Sequence, residues 1–394
     1  MVRRLRVLSF SSLFPNPRQP LHGVFVENRL RHLAATGEVE LRVMAPVPWF
    51  PSTAAQFGRW ATFAGIPDRE ERHSIPVWHP RHVVLPKVGM SMAPALMYLG
   101  VRRLARQLID EADIDLIDAH YFYPDGVAAA LLGRELGKPV VITARGTDLN
   151  LIPRHPLAKA QIRWAARRAA ACVTVCEALA RPLAEMGVPP DRLRVLRNGV
   201  DLAQFRPRAR AQARQRLGLD GPVLLSVGLL IERKGHHLVI DALADLPGFT
   251  LLIAGGGPER GALEQRVRDR GLGDRVRFLG EVAHEQLAAI YTAADALVLA
   301  SSREGWANVL LESIACGTPV VATDVWGTAE VVTCPQAGRL VRQRSAAGIA
   351  DEVRRLFAAP PDRAATRRYA EGHDWEATTR GQLDLFATIA PARP

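Results

Sequence analysis

The chain has 394 residues, 48% hydrophobic and 23% charged, with a formal net charge of +11. At about 200 residues per unit, this length accommodates two α/β domains, and with no window near the ~20 uncharged apolar residues of a spanning helix, no transmembrane segment is expected. The charge is lopsided: up to residue 205 there are 27 basic and 18 acidic residues, so the first half should face something anionic, a membrane surface or an acidic or phosphorylated substrate.

From the N-terminus, Met1 to Arg6 is basic, but the apolar run that follows soon meets Asn16, Pro17 and Arg18 and has no small-residue cleavage site. A strand from Leu5 to Phe10 is therefore expected rather than a signal peptide. The turn formers Ser11 to Pro17 lead to a helix around Val24 to Ala35. Further strands are expected at Glu40 to Met44, Leu116 to Ala119, Val140 to Thr143 and Ala171 to Val175, with helical patterns between several of them, as in a parallel sheet. After the turn-like Asn198 to Asp201, the charged stretch Arg206 to Arg216 reads as a connector. The second half repeats the alternation at Val223 to Val227, Thr250 to Ala254, Val276 to Leu279, Ala296 to Ala300 and Pro319 to Thr323. A terminal helix is expected from Trp375 to Ile389. The domains are accordingly 1–205 with about 375–394, and 206–374. Cys172, Cys176, Cys316 and Cys334 lack metal-site spacing and companion histidines, so buried thiols in a reducing cytosol are expected, with neither a metal nor a disulfide.

The segment Ser301 to Ser313 follows a buried strand and opens a helix. Ligands of open parallel sheets collect at the carboxyl ends of strands, and helix starts attract phosphate. Glu304 would sit beside such a ligand, Gly305, Trp306, Ala307 and Asn308 could offer backbone donors, and Glu312 could turn back toward the same place. Carboxylates beside phosphate fit a ligand that carries hydroxyls as well, as a nucleotide sugar does. Two glutamates near a helix start are equally well explained as dipole partners or a solvated face. A second segment, Val227 to Gly235, shifts that balance, because Arg233 and Lys234 lie in another strand-end loop suited to a diphosphate leaving group.

The glutamate pair Glu304 and Glu312, the loop Gly228 to Gly235 with Lys234, and the glycine-rich Ala254 to Pro258 together resemble glycosyltransferase family 4, over nearly the whole chain. The resemblance implies the GT-B fold: two facing Rossmann-like α/β domains with an interdomain cleft, the last helix crossing back to the first. It implies that Glu304 contacts hydroxyls of the transferred sugar, Glu312 holds the ribose, Lys234 neutralises the diphosphate, and Gly280 to Val282 border the nucleobase. Many members have an arginine directly after the loop glycine Gly228, where this chain has Leu229; the expectation is that Arg233 takes its place.

In the first half, Gly23 matches a family glycine whose missing side chain lets a loop approach the donor phosphates. His120 is expected at a strand end facing the cleft, and on its own it is better explained as a hydrogen-bonded core histidine. Arg145 and Asp148 match a charged cleft loop that binds donor or acceptor, or simply fixes the loop. Family members usually retain anomeric configuration, which implies front-face attack with the departing phosphate taking the acceptor proton and no metal. Asp113 and Asp115 form an Asp-x-Asp pair, but far in the chain from the donor motif. The expected reaction moves a sugar from a nucleotide-diphosphate sugar, a UDP- or GDP-sugar, to a glycan or polyprenyl-diphosphate-linked acceptor, in cell-surface polysaccharide or glycolipid synthesis. No other cofactor is expected.

Trp49 to Phe63 and Met90 to Ile109 are apolar, and the latter ends in Arg102, Arg103 and Arg106. They suit either a membrane interface or a core helix with a charged end. With the basic first half, peripheral contact of a cytoplasmic protein with an anionic membrane is expected. Nucleic acid is not an expected partner, because no zinc finger, helix-turn-helix or aromatic RNA-binding signature is present. A nicotinamide-dependent dehydrogenase is disfavoured because neither Phe10 to Leu13 nor Val227 to Leu230 carries Gly-x-Gly-x-x-Gly. An epimerase of the same fold and a basic binding module stay open as alternatives.

Overall fold

The computed structural model describes residues 4–85 and 89–390. Residues 1–3 and 391–394, which the domain assignment includes, lie outside the described residues. The chain forms two compact units, one ending at Asn198 and resuming at Glu376, the other spanning Gly199–Trp375. The division falls before residue 206 because the intervening residues pack within the second unit. The Phe205 ring stands edge-on to His284 and Tyr291 at 5.0 and 6.1 Å, and a Cβ on Gly199 would meet the Asp374 carbonyl oxygen at 2.3 Å.

The first unit contains β1 (Leu5–Phe10), β2 (Val39–Met44), β3 (Val47–Pro48), β4 (Arg69–Arg72), β5 (Ile75–Trp78), β6 (Arg81–His82), β7 (Leu116–His120), β8 (Val140–Ala144), β9 (Ala171–Thr174) and β10 (Leu193–Val195). Its main sheet has the order β10-β9-β8-β7-β1-β2-β5-β4, with β3 and β6 forming a separate ladder. All pairings are parallel except β4 on β5. Strands β7, β8 and β9 are buried along their whole length, as strands covered on both faces must be. The terminal helix Glu376–Ile389 belongs to this unit, where Leu383, Leu385 and Phe386 share a core with Val26, Leu30 and Leu33 of the helix Val24–Ala35.

The second unit contains β11 (Val223–Val227), β12 (Thr250–Ala254), β13 (Val276–Gly280), β14 (Ala296–Leu299), β15 (Val320–Thr323) and β16 (Gly338–Val341), all parallel, in the order β13-β12-β11-β14-β15-β16. From β11 the chain winds outward through β12 and β13, then returns to lay β14 on the other side of β11. The two connections leaving β11 and β14 diverge at that switch point and leave room for a ligand at the carboxyl ends of the strands.

The cysteines are free; Cys172, Cys176 and Cys316 are buried, whereas Cys334 is only half-buried, short of the expectation for all four.

Candidate functional site

The loop after β11 and the loop after β14 meet at the switch point of the second unit. Three strand-end loops are laced by backbone bonds, from Gly228 N–H to the Ala254 carbonyl at 3.0 Å, Leu230 N–H to Gly256 at 2.8 Å and Gly255 N–H to Gly280 at 2.7 Å. The lacing requires glycine at Gly255, whose φ is 148° and whose Cβ would stand 1.9 Å from the Gly228 carbonyl oxygen. Gly235, with φ 72°, backs onto Ala300 in the same way, its Cβ 2.1 Å from the Ala300 oxygen, so the two loops touch along their backbones. His236 holds the first loop in place from beneath. Its Nδ1 is 2.9 Å from Ser226 Oγ and its Nε2 3.2 Å from the Leu229 carbonyl. Burial drops its pKa to about 4, so the imidazole is neutral.

On this scaffold Lys234 Nζ donates to Glu304 Oε1 at 2.6 Å, Ser301 Oγ donates to the same oxygen at 2.6 Å, and Arg233 Nη1 lies 3.5 Å from it. Arg233 also donates to the Arg303 carbonyl at 2.8 Å. Burial opposes the charge on Glu304, but Lys234 and Arg233 outweigh it and hold the carboxyl below its ordinary range. Two cations thus share one ionised carboxylate, which leaves a surplus of positive charge. The Leu229 side chain, directly after Gly228, is 59% exposed.

Beyond Glu304 the chain passes through Gly305, Trp306 and Ala307, all buried, into the helix Asn308–Ala315. Trp306 Nε1 is buried without an acceptor among the described residues, an orphan donor that a ligand oxygen would satisfy. Glu312, in that helix, has both oxygens engaged: Tyr291 Oη donates to Oε2 at 2.8 Å and His284 Nε2 lies 3.2 Å from Oε1. The Gln204 amide is 2.9 Å from His284 Nδ1. Burial disfavours the imidazolium of His284, yet the Glu312 carboxylate more than compensates and raises its pKa. Val282 is half-buried just after β13. Ser301, His236, His284, Tyr291 and Gln204 were not singled out by sequence reasoning.

In the first unit the switch point lies between β1 and β7. Asp118 and His120, two apart on β7, point to one face and join a buried polar chain. Arg29 Nε donates to Gln382 Oε1 at 2.7 Å, Gln382 Nε2 donates to Asp118 Oδ2 at 3.0 Å, and His120 Nε2 lies 3.2 Å from that same oxygen. Arg145 Nη2 donates to His120 Nδ1 at 2.7 Å and Nη1 to Asn198 Oδ1 at 3.1 Å. Burial pushes His120 down to about 4, so it is neutral; its Nδ1 is bonded to Arg145, while its Nε2, though near Asp118 Oδ2, makes no hydrogen bond among the described residues.

Asp148 fixes its own loop. It accepts from the backbone amides of Phe122 at 2.8 Å, Gly146 at 2.7 Å and Arg145 at 3.1 Å. Asp125 accepts from the amide and hydroxyl of Ser12, tying the loop after β1 to the segment after β7, and burial raises its pKa to about 7. Gly23 has φ 74°, and its Cβ would lie 2.3 Å from the Leu13 carbonyl group, so its missing side chain admits the chain's own backbone. Asp113 and Asp115 are taken up by Arg6, through its guanidinium at 3.2 Å and its backbone amide at 2.9 Å. Among the described residues, no group of three or more His, Cys, Asp or Glu could hold a metal ion.

The helix Ala93–Ala112 buries Met97, Val101, Ala105 and Leu108 along one face, so this part of the apolar stretch is core. Of the two apolar stretches, Trp49, Phe57, Met90, Met92 and Leu99 stay exposed, and Val83, Val84 and Leu85 between them are exposed as well. No helix among the described residues is long and apolar enough to cross a membrane.

Comparison with known proteins agrees with this geometry. The family model described as glycosyl transferases group 1 matches residues 208–373, and that described as glycosyltransferase family 4 matches residues 23–204. A Bacillus subtilis protein provisionally described as a teichuronic acid biosynthesis glycosyltransferase is 28% identical over 361 residues, covering 89% of each chain. The 2-deoxystreptamine glucosyltransferase of Streptomyces kanamyceticus is 32% identical over 290 residues, 68% of this chain and 74% of its own. Among solved structures, an Anabaena protein crystallised with UDP superposes with a TM-score of 0.75 at 21% identity, over 98% of this chain and all of that one.

Proposed function

The chain belongs to the group 1 and family 4 glycosyltransferases, and from that premise we propose that it moves a sugar, with retention, from a nucleoside-diphosphate sugar to a glycan or lipid-linked acceptor. The observation that carries the reading is the pairing of Lys234 and Arg233 on the single oxygen Oε1 of Glu304 at the strand switch point. The surplus cationic charge meets the diphosphate and stabilises it as the anomeric bond breaks. Glu304, kept ionised, accepts from sugar hydroxyls, Trp306 Nε1 and the amides from Gly305 to Asn308 complete the donor pocket, and Glu312 takes the ribose diol. Arg233 does the work of the arginine absent at Leu229.

Retention is favoured because His120, the candidate base of the first unit, is pushed down to about 4 by burial and is a weak base, while Asp125 and Asp148 are bound to backbone amides. The acceptor proton then leaves with the departing phosphate. Arg145, held by His120 and Asn198, is the cation of this unit best placed to orient a substrate.

The acceptor belongs to cell-surface polysaccharide or glycolipid assembly, and the protein works at the cytoplasmic membrane face. The β3–β6 ladder supports this. It sets Trp49 N–H on the His82 carbonyl at 2.8 Å, beside exposed Val83, with Arg59 stacked 5.4 Å from the Trp60 ring, an apolar and basic rim suited to anionic lipid.

The test is proton NMR of turnover with UDP- and GDP-sugars, with and without acceptor. An acceptor-linked product of unchanged anomeric configuration supports the reading. Sugar release without acceptor, interconversion of the donor alone, or an inverted product overturns it.

A further inference from the structure

The first unit has a cavity of about 810 Å³ away from its strand-end loops, beside the sheet edge at β2. Strand β2 pairs with β1 along its length, but with β5 only at Val43 and Met44. On the side away from β1, the peptide groups of Val39 and Leu41 therefore face the cavity with no ladder partner among the described residues, those of Glu40 and Arg42 being turned to β1. Arg4, Arg31, Arg42 and Arg69 line the space together with Trp78 and the carboxylates Glu40 and Glu111.

Three of those arginines, Arg4, Arg31 and Arg69, make no ion pair with a carboxylate among the described residues, whereas Arg42 is balanced by Glu111 at 3.6 Å. The guanidinium of Arg69 lies 5.0 Å from the centre of the Trp78 ring and that of Arg42 5.9 Å. The lining thus combines three arginines without a carboxylate partner, an indole, two carboxylates that are themselves ion-paired, Glu40 with Arg6 at 4.0 Å and Glu111 with Arg42, and a partly open strand edge. A site for a neutral sugar would not need arginines without a carboxylate partner, and a plain polyanion would leave the carboxylate acceptors and the indole face unused. The combination matches a ring that bears both hydroxyls and a negative charge.

We propose that this cavity binds a segment of acidic glycan, a chain containing uronate sugars. Its carboxylates pair with Arg31 and Arg69, its hydroxyls bond to Glu40 and the edge of β2, and a sugar face packs on Trp78. The volume lies within the roughly 300–1,000 Å³ of small-ligand pockets, so the site grips a short stretch of chain rather than one group. The inference rests on the proposed function only for its use, which is to hold a growing acidic acceptor; the binding itself stands on the cavity.

The experiment is calorimetric titration of the full chain, without any nucleotide sugar, with oligogalacturonate, a neutral malto-oligosaccharide of equal length, and inorganic polyphosphate. The uronate oligomer should bind about tenfold more tightly than either other probe, since bidentate arginine contacts and sugar contacts are both needed. The double variant Arg31→Gln/Arg69→Gln should lose about tenfold in that affinity while melting normally, because neither side chain is part of the core. Trp78→Leu should weaken binding further, and the arginine pair alone carries the test where that variant does not fold. Equal binding of polyphosphate, equal binding of the neutral oligomer, or no effect of the arginine changes would overturn the proposal. None of these outcomes depends on turnover, so failure here is distinct from failure of the glycosyltransferase reading.

Discussion

Tyr291 donates its phenol proton to Glu312 Oε2 at 2.8 Å, and the Phe205 ring stands edge-on to it at 6.1 Å. Together with His284, 3.2 Å from Oε1, the contact fixes the orientation of the carboxylate proposed to hold the ribose. Tyr291→Phe should raise the donor KM about tenfold or more with little change in kcat, since a hydrogen bond to a carboxylate is worth about 1.5–3 kcal/mol and is made before and during transfer alike. Steady-state kinetics in donor concentration checks it; an equal fall in kcat would place Glu312 in the chemical step instead.

His284 adds a pH dependence to the same carboxylate. Its folded pKa is raised, so its contribution to stability is complete below the ordinary histidine range and is lost as pH rises through the raised value. Melting curves of the chain should therefore fall in that alkaline direction, and His284→Gln should flatten that fall. An unchanged slope in the variant would mean that the imidazole is neutral throughout.

Asp125 behaves in the opposite unit as a carboxyl with a folded pKa of about 7. A raised carboxyl is stabilising when protonated, so stability is highest below the ordinary carboxyl range near ~4 and declines as pH climbs from there to about 7. Asp125→Asn keeps the bonds to Ser12 and removes the charge. It should be close to neutral near pH ~3, where both states hold the proton, and stabilising by on the order of 4 kcal/mol at pH ~8, by urea denaturation.

Gly255→Ala and Gly37→Ala separate strain from collision. Both positions have positive φ, 148° and 72°, but a Cβ on Gly37 meets nothing within 4 Å, whereas one on Gly255 lands on the Gly228 carbonyl. Gly37→Ala should cost about 1 kcal/mol and leave nucleotide binding intact, and Gly255→Ala should cost several times as much and abolish binding. Equal costs would mean that the loop lacing has no part in forming the pocket.

Much of the alternation was legible because strands such as Val223–Val227 and Thr250–Ala254 are short apolar runs followed at once by glycine. The β4–β5 hairpin was not. Arg69–Arg72 is an all-charged edge strand, and its turn uses His73 and Ser74 at φ 51° and 60° instead of glycine or asparagine. In the candidate site, Glu304, Lys234 and Arg233 were readable from strand-end spacing, and they do converge. The supports of Glu312 were not, since His284 and Tyr291, with Gln204 behind His284, come from distant segments that only the fold brings together. Asp118 could have been found, sitting two residues before His120 on one strand face. Gln382 could not, because nothing local marks a helix glutamine as the link between Arg29 and Asp118.

The proposed donor binding depends most on the charge cluster around Glu304. Calorimetric titration of UDP- and GDP-sugars into the wild-type chain, Lys234→Ala, Arg233→Ala and Glu304→Gln tests it directly. The account predicts binding of one of these donors by the wild type, loss of about tenfold or more on removing either cation, and selective loss of the sugar over the bare nucleoside diphosphate in Glu304→Gln. Undiminished donor affinity in Lys234→Ala, in a protein that melts as the wild type does, would contradict it.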